Sequence, residues 1–444
     1  MKFLSARRTL SAGIIAAASV AAFVAPSAAS AALPGHCKGA SSEGAGSSFQ
    51  LEAQEVWKKG FNANKSAGCI GGPTIGYRSV GSGAGYKEWA VSEHFGTVGF
   101  VGTDNTVNAA EKEAVEKQAT AGTSQVLTVP VVVGAEAIVV NLPENCTANS
   151  KAAPGRLGLD QATLEGIYAG TITKWSQIVS SEGTGNELTG AGCTPATDTI
   201  TAVVRKDGSG TTHIFKKFLN QTDGSALASE DGKEHSWAEL AEGSLSTVWP
   251  TAANTLHPAE TTNTGVLKAV AATPGAIGYA DLAQARNAAN GGFTGQSASR
   301  FWLVLENERK EKTTSKGLKI TRKYKDPSSN GDALATAESN CKKTEFSNGK
   351  GSFPPPTVDS AWNEVTAKQF SKSYALCGLT YNLVLSNYEA YTGGTAAEAQ
   401  TVRDYLAFET STKGGGKEIK GHDYSALPKQ LLPSAEEGVS AIEG

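Results

Sequence analysis

The sequence predicts an α/β protein built on mostly parallel sheets. Three observations point there. From about residue 44 onward, β-branched apolar runs alternate with stretches of helical periodicity. The places where a run hands over to a helix are rich in glycine and serine, at 44–49, 81–85, 102–105 and 207–212. The chain is 444 residues long, enough for two or more domains. Ligands of such sheets sit beyond the carboxyl ends of the strands, so these junctions are the candidate site.

The elements follow in order. "GAGSSFQLEAQEVWKKGFNA" opens on glycine and serine, then places Phe49, Val56, Trp57 and Phe61 at near-helical spacing, with Ser47 or Ser48 as the expected N-cap. "TIGYRSVGSGAGYKEWA" reads as strand, turn and helix, and "VGFVGTDN" as a short strand ending at Asp104. "EKEAVEKQA" is a polar helix. "VLTVPVVVGAEAIVVNLP" is the most strand-like segment; Pro130 makes it two strands or one strand crossing between domains. "LDQATLEGIYAGTITKWSQI" is helical, capped by Asp160. "DTITAVVRKDGSGTTHIFKKFL" repeats strand, loop, helix, and "TNTGVLKAVAATPGAIGYADL" is a helix, a Pro274-Gly275 turn and a strand. Residues 181–198 and 306–355 lack periodicity and read as surface insertions. Strand-like "LCGLTYNLVLSNYEAY", helical "AAEAQTVRDYLAFETS" and a final turn and helix in "DYSALPKQLLPSAEEGVSAI" close the chain.

The first 31 residues form a secretory signal peptide: Lys2, Arg7 and Arg8, an apolar stretch from Gly13 to Ala25, then Ala29-Ser30-Ala31 as a cleavage site. Export fits the even number of cysteines, six. Sequential pairing, Cys37 with Cys69, Cys146 with Cys193 and Cys341 with Cys377, is the expectation. None lies in C-x-x-C, so the usual zinc and redox spacings are missing. A composition of 39% apolar and 19% charged residues reads as globular. A net charge of −3 argues against a general nucleic-acid binder, which needs a basic face.

The motifs of common enzymes are not there. The glycines around Ser82 and Ser209 are immediate neighbours, not spaced as G-x-S-x-G, and no histidine begins H-E-x-x-H. No Gly-Lys is followed by Ser or Thr, so there is no P-loop. An anion site fits better. Arg205 can supply a two-pronged positive charge, and Ser48, Ser82, Ser209 and Thr211 can supply hydroxyls. Amides at Phe49, Gly210 and Thr211 lie at helix starts. Asp104 repels a bare anion but accepts the proton of a protonated one, so hydrogen phosphate suits it and sulfate does not. Asp207 is placed to hold the Arg205 guanidinium. Each junction alone also reads as an ordinary turn or N-cap; the combination, in order, at successive strand ends carries the anion reading.

Four motifs carry a family resemblance. "GAGSSF", "YRSVGSGAG", "FVGTDN" and "VVRKDGSGTT" resemble, in that order, the ligand loops of the phosphate-binding proteins of bacterial phosphate ABC transporters. "TPGAIGYADL" and "DYSALPKQL" resemble family segments outside the site. The resemblance implies a two-lobed periplasmic-binding-protein fold joined by crossing hinge strands, with no catalysis, no cofactor and no metal. It implies phosphate held between the lobes by Ser48, Phe49, Ser82 and Asp104 from one side and Arg205, Ser209, Gly210 and Thr211 from the other. One lobe would span 37–128 plus 280–444 and the other 129–279. The receptor would be a periplasmic or cell-surface monomer that delivers phosphate to a membrane permease. The alternatives are a receptor for another oxyanion such as tungstate or sulfate, a secreted phosphate scavenger, a phosphatase, or an adhesion protein reusing the fold.

Overall fold

The computed structural model describes residues 39–63, 72–90, 98–106, 109–178, 185–194, 196–223, 227–228, 234–235, 249, 259–315, 317–329, 337–368 and 372–443. The signal peptide and the Cys37 and Cys69 pairing lie outside them. Three β-α units come first. Strand β1 (Ser42–Gly46) leads to α1 (Leu51–Asn62), β2 (Ile75–Ser79) to α2 (Ser82–Ala90), and β3 (Phe100–Thr103) to α3 (Ala109–Glu116). β1 pairs in parallel with both β2 and β3, as the helical crossovers between them require. Helix α1 buries Trp57 and Phe61, and Phe61 meets Tyr405 and Phe408 edge-on.

Next comes β4 (Val126–Asn141), with all 16 residues buried. A strand covered on both faces has no polar side to alternate with, hence a run that is apolar except at Thr128, Glu136 and Asn141. Pro130 does not divide it. The opposing strand pairs Thr380 with Val132 but Tyr381 with Pro130, and this register shift at Val131 absorbs the missing proline N–H.

After β4 come α4 (Gln161–Tyr168), β5 (Thr201–Ala202), β6 (Val204–Arg205) and α5 (Gly210–Asp223). As expected, Asp160 caps α4, accepting from the Thr163 amide at 2.8 Å. β7 (Ala259–Glu260), α6 (Thr262–Ala272), β8 (Ala276–Asp281) and α7 (Leu282–Arg286) follow. Then come β9 (Arg300–Trp302), β10 (Val304–Thr314), β11 (Gly317–Lys325) and β12 (Cys377–Leu385). Helix α8 (Ala396–Thr410), β13 (Tyr424–Ala426) and α9 (Leu432–Ser440) end the chain.

The principal sheet runs β2-β1-β3-β12-β4-β8-β5. Its middle is the crossing strand. The first half of β4 lies between β12 and β13, and the second half between β8 and β9, all antiparallel. Parallel pairs lie outside it, β1 with β2 and β3, and β8 with β5. The result is the two-lobed periplasmic-binding-protein fold, with β4 common to both lobes.

Two expectations change. Neither Ser47 nor Ser48 caps α1; Gln50 holds that position without a side-chain cap, and the serines turn inward. The 306–355 excursion contains a long hairpin, β10 with β11, whose turn is closed by Gly317 at φ +110. β10 is charged from Glu306 onward, and the alternation of Leu318, Ile320 and Tyr324 in β11 is a short signal inside a charged stretch. The disulfides Cys146–Cys193 and Cys341–Cys377 form as expected, each tying an insertion to an ordered element.

Candidate functional site

The four glycine- and serine-rich junctions converge. β1 turns at Gly46, φ +139, where a Cβ would stand 2.1 Å from the Gly102 carbonyl oxygen. Only glycine lets the chain turn so close to β3. The turn delivers Ser47, Ser48 and Phe49, all buried. The Phe49 ring lies on the backbone of β4, where a Cβ on Gly134 would be 2.4 Å from Cε1. Its carbonyl oxygen accepts from the Tyr424 hydroxyl at 2.7 Å. Ser82 opens α2, Asp104 follows β3, Arg205 ends β6, and Ser209, Gly210 and Thr211 lead into α5.

All eight predicted residues meet. Arg205 is 1% exposed, and its guanidinium is fixed on both sides. Nε donates to Asp207 Oδ1 at 2.6 Å and Nη2 donates to Asp207 Oδ2. Nη1 donates to Ser48 Oγ at 3.2 Å and to Asn263 Oδ1 at 2.8 Å. Asp207 thus steadies the arginine. Ser82 Oγ accepts from the Gly210 amide at 3.3 Å. Ser209 Oγ accepts from the Thr212 amide at 3.1 Å, the N-cap contact a plain turn would also make. Two amides expected to face an anion are bonded to serine oxygens: Gly210 to Ser82, and Phe49 to Ser47 Oγ at 3.0 Å.

Asp104 is the electrostatic centre opposite Arg205. It is 3% exposed, and burial lifts its pKa from 3.8 to about 7. The Ser47 hydroxyl and the Arg205 charge oppose that rise. Ser47 donates to Oδ1 at 2.6 Å. Oδ2 makes no hydrogen bond, nor do Thr211 Oγ1 and Asn263 Nδ2, all three buried. A buried polar atom left without a partner costs roughly 1–3 kcal/mol, so three in one place mark a site built for something polar.

The two walls of this site touch through glycine. The Gly83 amide donates to the Gly208 carbonyl at 3.0 Å. A Cβ on Gly210 would stand 2.6 Å from Asp104 Cβ, and one on Gly81 2.6 Å from Asp207 Oδ2. Backbone approach this close puts amides and short side chains, with no bulk between them, around the Arg205–Asp104 axis.

Several members were not singled out for the site from sequence. Ser47 was read only as a cap, yet it holds Asp104. Asn263 bonds Arg205 and, through its amide, Ser48 Oγ at 3.1 Å. The Tyr279 hydroxyl accepts from the Arg205 amide at 3.2 Å, and Gln284 Nε2 donates to the Ser48 carbonyl. Glu136, in mid-β4, is fully buried with neither carboxylate oxygen bonded, and burial raises its pKa well above the usual range. The one local signal was the polar "TTN" ahead of an apolar helix, which also reads as an ordinary helix start. Among the described residues no group of three or more His, Cys, Asp or Glu could hold a metal ion.

Comparison with known proteins gives the same direction. The PBP superfamily domain family matches residues 27–344. The phosphate-binding protein PstS 3 of Mycobacterium tuberculosis is 30% identical over 84% of this chain and 80% of its own length. The phosphate-binding protein PstS of Pasteurella multocida is 27% identical over 64% of this chain and 72% of its own length. Among solved structures, the phosphate-binding protein from Stenotrophomonas maltophilia superposes with a TM-score of 0.56 at 18% identity, covering 89% of this chain and 92% of that one. A high-affinity periplasmic phosphate-binding protein solved with phosphate bound gives 0.55 at 19% identity, covering 89% and 93%. At such identities the superpositions establish the shared fold.

Proposed function

This chain belongs to the PBP superfamily, among the PstS phosphate-binding proteins, and from that premise we propose that it captures inorganic phosphate between Asp104 and Arg205 for an ABC importer. One observation carries the reading. A buried guanidinium and a buried carboxylate with a spare acceptor, Asp104 Oδ2, lie near enough for the Arg205 charge to act on Asp104. An anion without a proton satisfies the first and is repelled by the second. Hydrogen phosphate satisfies both, because it offers acceptors to Arg205 and a proton to Asp104. With the Asp104 pKa near 7, that proton is shared between carboxylate and ligand at neutral pH. Arsenate, protonated in the same range, fits by the same argument; sulfate and tungstate lack the proton.

Ser48, Phe49, Ser82, Arg205, Ser209, Gly210 and Thr211 are the residues proposed to complete the shell. The Gly210 and Phe49 amides would exchange serine oxygens for phosphate oxygens on binding. We keep the lobes at 37–128 plus 280–444 and 129–279; the change of partner along β4, from β12 up to Ala135 to β8 from Glu136, supports a division within this strand. Phosphate touching both sides favours the closed arrangement, the hinge-type switch of two-lobed receptors. We assign no catalysis, a reading supported by the relatives being named phosphate-binding proteins. The delivering partner is a membrane permease, and the receptor works outside the cytoplasm; among the described residues no helix is long and apolar enough to cross a membrane.

Calorimetry on the protein lacking residues 1–31 tests this. Phosphate is expected to bind, with sulfate weaker by at least two orders of magnitude. No heat with millimolar phosphate refutes the proposal.

A further inference from the structure

Asn263 is fully buried at the first turn of α6, beside the Arg205 guanidinium. It makes two contacts to proposed phosphate residues: Oδ1 accepts from Arg205 Nη1 at 2.8 Å, and its amide donates to Ser48 Oγ at 3.1 Å. The other half of its side chain, Nδ2, makes no hydrogen bond. The backbone that puts it there is unusual. Thr262, the residue before, has φ +59, a conformation that a β-branched side chain rarely adopts. Strain of this kind persists where the surroundings hold it, and it gathers at ligand clamps.

We propose that Asn263 is a further phosphate-contacting residue: Nδ2 donates to the bound anion, and its amide fixes the Ser48 hydroxyl as a donor. The reasoning rests on the phosphate reading above and follows the hydrogens. A hydroxyl has two acceptor positions and one hydrogen. Ser48 Oγ accepts from both Arg205 Nη1 and the Asn263 amide, so its acceptor positions are filled and its hydrogen points elsewhere. An amide whose oxygen is held by Arg205 presents its nitrogen on the other prong. Arg205 itself has five N–H groups, of which Asp207, Ser48 and Asn263 occupy four. The pocket would then be short of donors for an anion with three or four oxygens. Asn263 Nδ2 and a Ser48 hydrogen directed at the ligand supply two more, leaving Asp104 Oδ2 as the acceptor for the ligand's proton. Thr262 holds the side chain in place by its backbone, so the donor is set before the ligand arrives.

The test uses the mature protein with 15N-labelled asparagine, the conservative Asn263→Asp variant identifying the side-chain signal. Saturating phosphate is expected to shift the Asn263 side-chain NH2 resonances and slow their exchange with solvent. Calorimetry on Asn263→Ala is expected to show a loss of roughly 10- to 100-fold in phosphate affinity, the range for one hydrogen bond to a charged group. Thr262→Gly, which keeps the Asn263 side chain and relieves the backbone, is expected to bind within about tenfold of wild type. An amide that only props Arg205 keeps an unmoved NH2 signal, and that result overturns the proposal even if the alanine variant misfolds. Wild-type affinity within threefold in a folded Asn263→Ala overturns it too. A wild-type protein giving no heat with phosphate sinks the phosphate reading and this inference together; a wild type that binds, with an indifferent Asn263, sinks this inference alone.

Discussion

Replacing Asp104 by asparagine tests the electrostatics of the pocket without ligand. Burial moves the Asp104 pKa from 3.8 to about 7, so the folded chain holds this proton more tightly than the unfolded one. The stability this lends is fully present below pH 3.8. It is lost as the pH rises toward 7, and the loss is complete above that. At roughly 1.4 kcal/mol for each tenfold change in proton affinity, the whole effect is on the order of 4 kcal/mol, most of it falling between pH 5 and 8. Asparagine keeps the oxygen that Ser47 approaches and places its NH2 toward Thr211 Oγ1, so the variant should fold. Glu136, Asp281 and Glu409 are also buried with raised pKa values and tilt the stability of both proteins in the same sense. The difference between wild type and Asp104→Asn therefore reports position 104 together with its charge coupling to Glu136. Denaturant unfolding from pH 5 to 9, without phosphate, should show wild type losing stability relative to the variant by a few kcal/mol. Parallel curves would refute the reasoning. With ligand, the same variant should bind phosphate more weakly and sulfate relatively better, because its NH2 offers a hydrogen where the carboxylate offered a lone pair.

Three further outcomes are expected. Gly210→Ala places a Cβ 2.6 Å from Asp104 Cβ and 2.7 Å from its backbone nitrogen, so it should lower the unfolding midpoint of the unliganded protein and cost more than tenfold in phosphate affinity, read by thermal melting and calorimetry. Removing Cys341–Cys377, which closes a 36-residue separation, should destabilise by about 4 kcal/mol on the chain-entropy argument, measured by denaturant unfolding of the double serine variant. Tyr424→Phe strips the hydroxyl shared by the Phe49 carbonyl and Asp281 Oδ2, both at 2.7 Å, and should cost roughly 1–3 kcal/mol in the same assay.

How legible all this was depends on what each residue signals locally. Glycines and short hydroxyls at strand ends stand out because few other residues tolerate such close backbone approach, and they brought Ser48, Ser82, Asp104 and Arg205 to notice. The length and uniform burial of β4 showed as an apolar run, and Pro130 obscured it only because a bulge cannot be seen from one strand. Adjacent serines were harder. Ser47 and Ser48 are the same residue type, and only the turn at Gly46 decides that one faces Asp104 and the other Arg205. Asn263 was illegible for a different reason. Its place depends on Thr262 adopting a positive φ, which nothing in a threonine advertises. The hairpin of β10 and β11 was obscured by β10, charged from Glu306 onward, although β11 alternates at Leu318, Ile320 and Tyr324.

Strand β4 has a consequence for how the molecule comes into being. Its neighbours are residues 276–281, 300–302, 377–385 and 424–426, all of them later in the chain. A largely apolar strand of sixteen residues therefore emerges from the ribosome with both edges open and waits for partners more than a hundred residues away. Such distant pairings form slowly, because a long loop must close before the contact forms. The last of them arrives with Ala426, close to the end. The principal sheet cannot be completed until residue 426 has been made, and until then its exposed strand is a ready target for aggregation or for a holding chaperone.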